Sequence, residues 1–459
     1  MNWVLTGVIV YVLAQLAIGL YVSRRNKTES DYLLAGRRLG YLMVTMSVFA
    51  TWFGAETCIG SSGAIYDEGL SGGRADPFGY TICLVVMGLF FAVPLYRKQL
   101  TTLGDLFRQR YGGGVEKIAA IVIIPSSVIW AGAQVHAFGH VVSSISTIPV
   151  EVSIPVAAIV VIVYTGAGGL LADAVTDLVQ GVVLIVGLFV ILIAVIVALG
   201  GVSATIHDID PRRLNLFGPE SSVLERIEAW AVPIFGSVLA QELISRTLAA
   251  RNEKVAQRSA FMGAGVYFVV SSLPVVIALA GASLVGELDE PDRFLPTVAS
   301  HVLHPVAYVV FAGALISAIL STVDSALLAA AALASHNVVL PMMPGISERG
   351  KVRLARICVL LFGIAAYVFA IREGTVHDKV EEASAFGSAG ILIVGLFALF
   401  SHYGGKWAAA ASLLVGSGAW LIANFMFELP YPYLFALAAS LVIYLLIAAV
   451  EPKAATETA

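Results

Sequence analysis

Charge is scarce in this chain: Asp, Glu, Lys and Arg supply 13% of its 459 residues, against roughly 25% in an ordinary soluble domain. That excludes a globule wetted on all sides, since too few charged side chains exist to cover one. Cysteine is nearly absent as well. Cys58, Cys83 and Cys358 all fall inside apolar segments, which argues against a disulfide framework and for simple burial. Net charge is only −4, with no long run of either sign, so nothing points to nucleic acid as a partner. No nucleophile or metal constellation of the kind a membrane enzyme needs is expected, and no channel selectivity filter is readable.

What is present is apolar length. Hydrophobic residues make up 59% of the chain, in about thirteen segments near 2–22, 41–66, 79–97, 115–146, 151–169, 176–200, 225–248, 256–286, 305–335, 353–372, 381–401, 406–427 and 431–450. Runs of about 20 apolar residues match the thickness of a bilayer. The expectation is an all-α integral membrane protein with one polytopic domain over residues 1–459. The first segment lacks a basic leader and a small-residue cleavage site, so it reads as a retained helix.

Basic residues are retained on the cytoplasmic side of a membrane. With the N-terminus outside, the inner loops collect Arg24, Arg25, Lys27, Arg37 and Arg38, then the groups around Arg97, Arg246 and Arg349, then Lys406 and Lys453. That places 20 of 27 basic residues inside and predicts a multi-pass protein of the cell membrane, inner or plasma, with a cytoplasmic C-terminus.

Polar residues at membrane depth must find partners or line a cavity. The Thr45–Tyr66 stretch carries Gly54, Gly60 and Gly63 among Thr51, Glu56, Thr57, Ser61 and Ser62. Two readings fit: a close-packed helix using small residues at a helix contact, or a helix broken near Phe53–Thr57 whose freed carbonyls bind a cation or solute. Glu56 in mid-segment favours the break. Around Ser321, Thr322 and Ser325 several neutral oxygens share one helical face. They suit a hard monovalent cation, or they bond back to their own helix carbonyls. Asp173 and Asp177 sit near a segment boundary, where solvated carboxylates are the ordinary expectation. Gln241, Glu242 and Arg246 lie where a segment meets a basic end, with Arg246 read as an interfacial anchor.

At these clusters the sequence resembles the sodium:solute symporter family. The resemblance rests on Asp31-Tyr-Leu-Leu-Ala-Gly-Arg-Arg38, Ala50–Tyr66, Gly168-Gly169 with Thr176-Asp177, Gln241 with Arg246-Thr-Leu-Ala-Ala250, and Ser321-Thr-Val-Asp-Ser325. Ala50-Thr-Trp52, Gly88-Leu-Phe-Phe-Ala92 and Asp324-Ser325 look closest to the choline-transporter branch. The resemblance implies a LeuT-like fold: a 5+5 inverted repeat, here about 41–200 and 225–401, with one extra helix before it and two after. It further implies a primary sodium site from the carbonyls of Ala50, Phe53 and Ala318 with the side chains of Ser321 and Thr322. A second would use Asp177, Ser321 and Ser325, with Asp324 beside it.

Sodium-coupled symport of a small organic solute by alternating access follows, with no chemistry catalysed. Trp52 and Trp130 match two tryptophans of the choline branch, whereas Ala240 stands where the branch has a third. With Glu56, Thr57, Gln241 and Glu242 they form the expected substrate shell, and its carboxylates favour an amine or amino-acid-like solute. The alternatives are a sugar or carboxylate symporter, or a symporter-like sensor signalling to a separate partner.

Overall fold

The structure is a computed structural model and describes residues 3–451 apart from 25, 147 and 219–221. Arg25 and Lys453, counted above among the inner basic residues, lie outside the described residues. Among the described residues the only strand-like pairing is an isolated bridge, and ten helices are long and apolar enough to cross a membrane. Shorter apolar helices cover Ile9–Ser23, Tyr41–Trp52 and Val150–Gly166.

The Leu170–Ala198 helix shows how sequence selects its surroundings. Asp173, Asp177, Gln180, Leu184, Leu188, Ile191 and Val195 recur at helical spacing and are buried. Between them Val182, Val186, Phe189, Ile193 and Val197 are exposed, an apolar outer face that lipid can solvate without cost. Gly169, at φ 81°, makes the turn that starts this helix six residues before the expected boundary. Asp173 and Asp177 are therefore not solvated end groups: both are fully buried.

Helix interruptions are local and explicable. Tyr41–Trp52 ends at Phe53, whose dihedrals (φ −78°, ψ 84°) are non-helical, and a π-turn over Glu56–Ser61 follows before Ser62–Glu68. A Cβ on Gly54 would meet the Thr322 hydroxyl at 2.5 Å and the Ala318 carbonyl at 3.3 Å, so glycine lets this break press against the Pro305–Ala332 helix. A second interruption separates Val223–Ala231 from Gln241–Ala249. It holds Pro233 in a π-turn and Ala240 in extended conformation. Gly236 there lies so close to the Ser384 carbonyl that a Cβ would sit 2.5 Å away.

The far ends of the two broken helices are tied together. The Leu39 N–H donates to the Ala249 carbonyl (3.1 Å) and the Arg251 N–H to the Leu39 carbonyl (2.9 Å). Elsewhere carboxylates satisfy helix N-termini, where backbone N–H groups and the helix dipole favour negative charge. Glu228 accepts from the N–H groups of Tyr433 (2.6 Å) and Leu434 (2.8 Å) at the start of Pro432–Val450. Glu451 does the same for Gly405 (2.9 Å) and Trp407 (3.1 Å) at the start of Lys406–Leu421.

Candidate functional site

Three polar or aromatic clusters surround the first break. The smallest contains the Thr322 hydroxyl, 3.1 Å from the Ala318 carbonyl and 3.4 Å from the Ala50 carbonyl. Gln134 joins from the Gly113–Ile145 helix, its Oε1 accepting from the Ala55 N–H at 3.1 Å. The Phe53 carbonyl belongs to the residue at which helical geometry stops. The break thus presents main-chain and hydroxyl oxygens together. Ser321 turns from this cluster, donating its hydroxyl to Asp177.

The second cluster is ionic and fully buried. Asp177 also accepts from the Ser47 hydroxyl at 2.7 Å. One helical turn away, Arg246 reaches Asp173 and the Ser325 hydroxyl through the same nitrogen. Ser325 lies 3.2 Å from Asp173 and donates to the Ser321 carbonyl at 2.9 Å. Arg246 is 1% exposed, so it is no interfacial anchor: the whole Gln241–Ala249 helix is buried, and the guanidinium is paired inside the protein. Asp324, 1% exposed, closes no hydrogen bond with either oxygen. Its Oδ2 lies toward Gly168, 3.6 Å from where a Cβ on that glycine would stand.

The third cluster is aromatic. Trp52 and Trp130 stand with ring centroids 6.5 Å apart. Tyr80 fits against both, at 5.1 Å from Trp52 and 6.4 Å from Trp130. Tyr267 continues the wall, 6.4 Å from Tyr80 and 6.1 Å from Phe53. Glu56, 1% exposed, borders this wall beside the Tyr80 hydroxyl and leaves its Oε2 without a partner. A cavity of about 200 Å³ lined by Glu56, Tyr80, Arg74, His377, Asp378 and Glu381 opens beside them.

The other expected substrate residues are engaged elsewhere. Thr57 donates to Asp76. Gln241 accepts from the Leu103 N–H (2.8 Å) and donates to the Ser245 hydroxyl (2.9 Å), anchoring the Leu103–Tyr111 helix. Glu242 accepts from the Ser127 hydroxyl at 2.5 Å, one turn from Trp130. Tyr80, Tyr267 and Asp76 escaped the sequence reading. A lone tyrosine inside an apolar segment looks like packing, and Asp76 sits in what reads as a loop between segments. Gly69-Leu70-Ser71-Gly72-Gly73 does have Gly-x-Ser-x-Gly spacing, contrary to expectation. It forms a 3-10 turn, not a strand-to-helix elbow, and Ser71 donates to the Glu68 carbonyl at 3.0 Å.

The architecture matches that of solved transporters. The structure of a Na+-coupled sialic acid symporter in a substrate-bound outward-open state superposes with a TM-score of 0.86 at 16% identity, covering 99% of each chain. A crystal structure of MhsT in complex with L-phenylalanine gives 0.55 at 14% identity over 89% of this chain and 98% of that one. The fold is therefore LeuT-like.

The model of the sodium:solute symporter family matches residues 32–416, and the chain belongs to that family. It is 28% identical over 398 residues to the human high affinity choline transporter 1, covering 81% of this chain and 68% of that protein. To the high-affinity proline transporter PutP of Bacillus subtilis it is 26% identical over 448 residues, covering 90% and 92%. The protein is a multi-pass membrane transporter performing sodium-coupled symport of a small solute, not an enzyme.

Proposed function

We propose that the solute is an organic cation or zwitterion carrying an amine, held between Trp52, Trp130 and Glu56. The observation that carries this reading is the unpartnered, buried Glu56 oxygen beside an aromatic wall at a helix break. Ring faces attract cations by about 0.5–2 kcal/mol each, and a buried carboxylate acceptor is matched by an N–H donor that a quaternary ammonium lacks. Tyr80 completes the wall by packing against both tryptophans. Thr57, Gln241 and Glu242 act behind this shell, each through its own partner.

Sodium binds in this reading at the Ala50, Phe53 and Ala318 carbonyls with Thr322, where the short reach from Thr322 to two carbonyls supports the assignment; Ser321, expected here as well, must swing back from Asp177 to join it. A second sodium uses Asp177, Ser321 and Ser325, with Asp324 as a neighbouring charge. Each sodium moving inward through the membrane potential releases about 2.3 kcal/mol per 100 mV, which drives solute uptake if both ligands favour the outward-facing state. The chain lies in the cell membrane with its N-terminus outside and C-terminus inside. It forms one transport domain with core repeats at about 41–200 and 225–401.

Uptake into proteoliposomes under a sodium gradient, competed by choline, lysine, proline, a hexose and pyruvate, tests the solute class. Inhibition by lysine or another amine, lost in Trp52→Ala and Glu56→Gln, is the expected outcome. Inhibition by pyruvate or the hexose alone overturns it.

A further inference from the structure

We propose that Asp76, Thr57, Tyr267 and Ser271 form a further sodium site, separate from the oxygens around Thr322 and from the cluster around Asp177. It is built by three parts of the chain: the π-turn Glu56–Ser61, the Arg74–Gly79 turn, and the Glu253–Val285 helix. None of them contributes a ligand from the Pro305–Ala332 helix, which supplies Ala318, Ser321, Thr322 and Ser325.

The oxygens converge closely. Thr57 donates to Asp76 Oδ2, the Tyr267 hydroxyl donates to the same oxygen at 3.0 Å, and the two hydroxyls lie 3.2 Å apart. Ser271, four residues after Tyr267, shares its helical face. Asp76, Thr57 and Ser271 are 1% exposed and Tyr267 is fully buried. Within this cage Asp76 Oδ1 and the Ser271 hydroxyl lack hydrogen-bond partners.

The electrostatics leave a place for one positive charge. A carboxylate withdrawn from water without a counter-ion costs several kcal/mol. Asp76 has no Lys or Arg among its partners; its surroundings hold His377, and Glu56 adds a second negative charge. One carboxylate with three hydroxyls is a hard, oxygen-only set of low charge, which suits a monovalent ion. A calcium ion would need more carboxylate ligands.

The location connects ion to solute. Tyr267 packs edge-on against Phe53 and Tyr80, so an ion that fixes its hydroxyl also fixes the aromatic wall at the first break. Sodium at Asp76 thereby pre-forms the surface on which Trp52 and Trp130 meet the solute, a coupling needing no direct ion–solute contact. This inference requires sodium binding but not the amine reading.

The test uses the purified full-length protein without solute. Sodium is titrated against N-methyl-D-glucamine at constant ionic strength, following intrinsic tryptophan fluorescence and the number of radioactive sodium ions bound. Asp76→Asn and Thr322→Ala should each remove one bound sodium, and the double variant should remove two. Tyr267→Phe and Ser271→Ala, milder changes that carry the test if Asp76→Asn fails to fold, should raise the half-saturating sodium concentration about tenfold, ~1.4 kcal/mol. Wild-type sodium numbers and half-saturation in Tyr267→Phe and Ser271→Ala would overturn the site. So would replacement of the Asp76-dependent response by acidification to pH 5.5 without sodium, since the group would then carry a proton. A wild-type protein blind to sodium would instead overturn the sodium assignments as a whole.

Discussion

The two broken helices solve the same geometric problem with opposite chemistry. At the first break, polar groups are left open: the Ala50 and Ala318 carbonyls meet at Thr322, and Glu56 Oε2 has no partner. At the second, most polar groups are engaged with protein partners: Gln241 holds Leu103 and Ser245, Glu242 holds Ser127, and Arg246 holds Asp173 and Ser325, with Arg246 Nε and Asp173 Oδ1 left over. In hydrocarbon an unpaired polar group costs several kcal/mol. The open Glu56 oxygen therefore marks where a ligand is expected to complete the shell, whereas the engaged groups mark where the Gln241–Ala249 helix grips its neighbours.

The largest effect should come from breaking the grip. Arg246→Ala leaves Asp173 buried and uncompensated, and loss of one partner of a buried pair costs about 3–5 kcal/mol. A large fall in thermal stability is expected, with Arg246→Lys recovering part of it. A melting temperature unchanged in Arg246→Ala would show that the second break is as open as the first. At the first break, Thr322→Ala should raise the sodium concentration for half-maximal uptake about tenfold, ~1.4 kcal/mol, while barely moving stability in sodium-free buffer. Unchanged sodium dependence would remove the primary ion from this break.

Trp52→Ala should weaken solute affinity by about 0.5–2 kcal/mol, beyond any change in folding, as read from competition binding. Gln241→Ala sharpens the contrast, because it removes two hydrogen bonds and should cost about 1 kcal/mol of stability with the rank order of competing solutes intact. A changed solute order would move Gln241 into the binding shell.

The smallest effect concerns the Pro291–Arg293 turn packed against the Ser62–Glu68 helix. A Cβ on Gly63 would lie 2.7 Å from the Pro291 carbonyl, and Asp292 accepts from the Val376 N–H at 3.0 Å. Burial, opposed by the Val376 N–H and Lys379, pushes the Asp292 carboxyl from 3.8 up to about 6. In the packed state Asp292 therefore binds a proton that the solvated carboxyl releases, so between about pH 4 and 6 falling pH favours the packed turn and above 6 the effect is flat. Hydrogen exchange at Val376, corrected for intrinsic rate, should be slower at pH 5 than at pH 7, and Asp292→Asn should erase that difference.

Architecture was legible because bilayer thickness writes itself into apolar length, and the broken first helix because Gly54 and Glu56 fit poorly in a lipid-facing rod. The ligand shells were legible only where residues sit close in sequence. Ser321, Thr322 and Ser325 share one helical face, but their orientations diverge: Thr322 toward Ala50, Ser321 toward Asp177, Ser325 toward Arg246. Asp76 was hidden because the 67–78 connection reads as a loop, yet its carboxylate is buried beside Thr57. Arg246 was misread because a basic residue near a segment end usually reaches for water, and only the fold reveals Asp173 waiting beneath it.

The clasp between Leu39 and the Ala249–Arg251 backbone has a mechanical consequence. Two helices broken independently would have two hinges, and each could open without the other. Main-chain bonds at Leu39 join the arms beyond both hinges, and side-chain substitution cannot easily weaken them. Two main-chain bonds thus couple the arms, so a displacement of one at the ion cluster is expected to pull on the other.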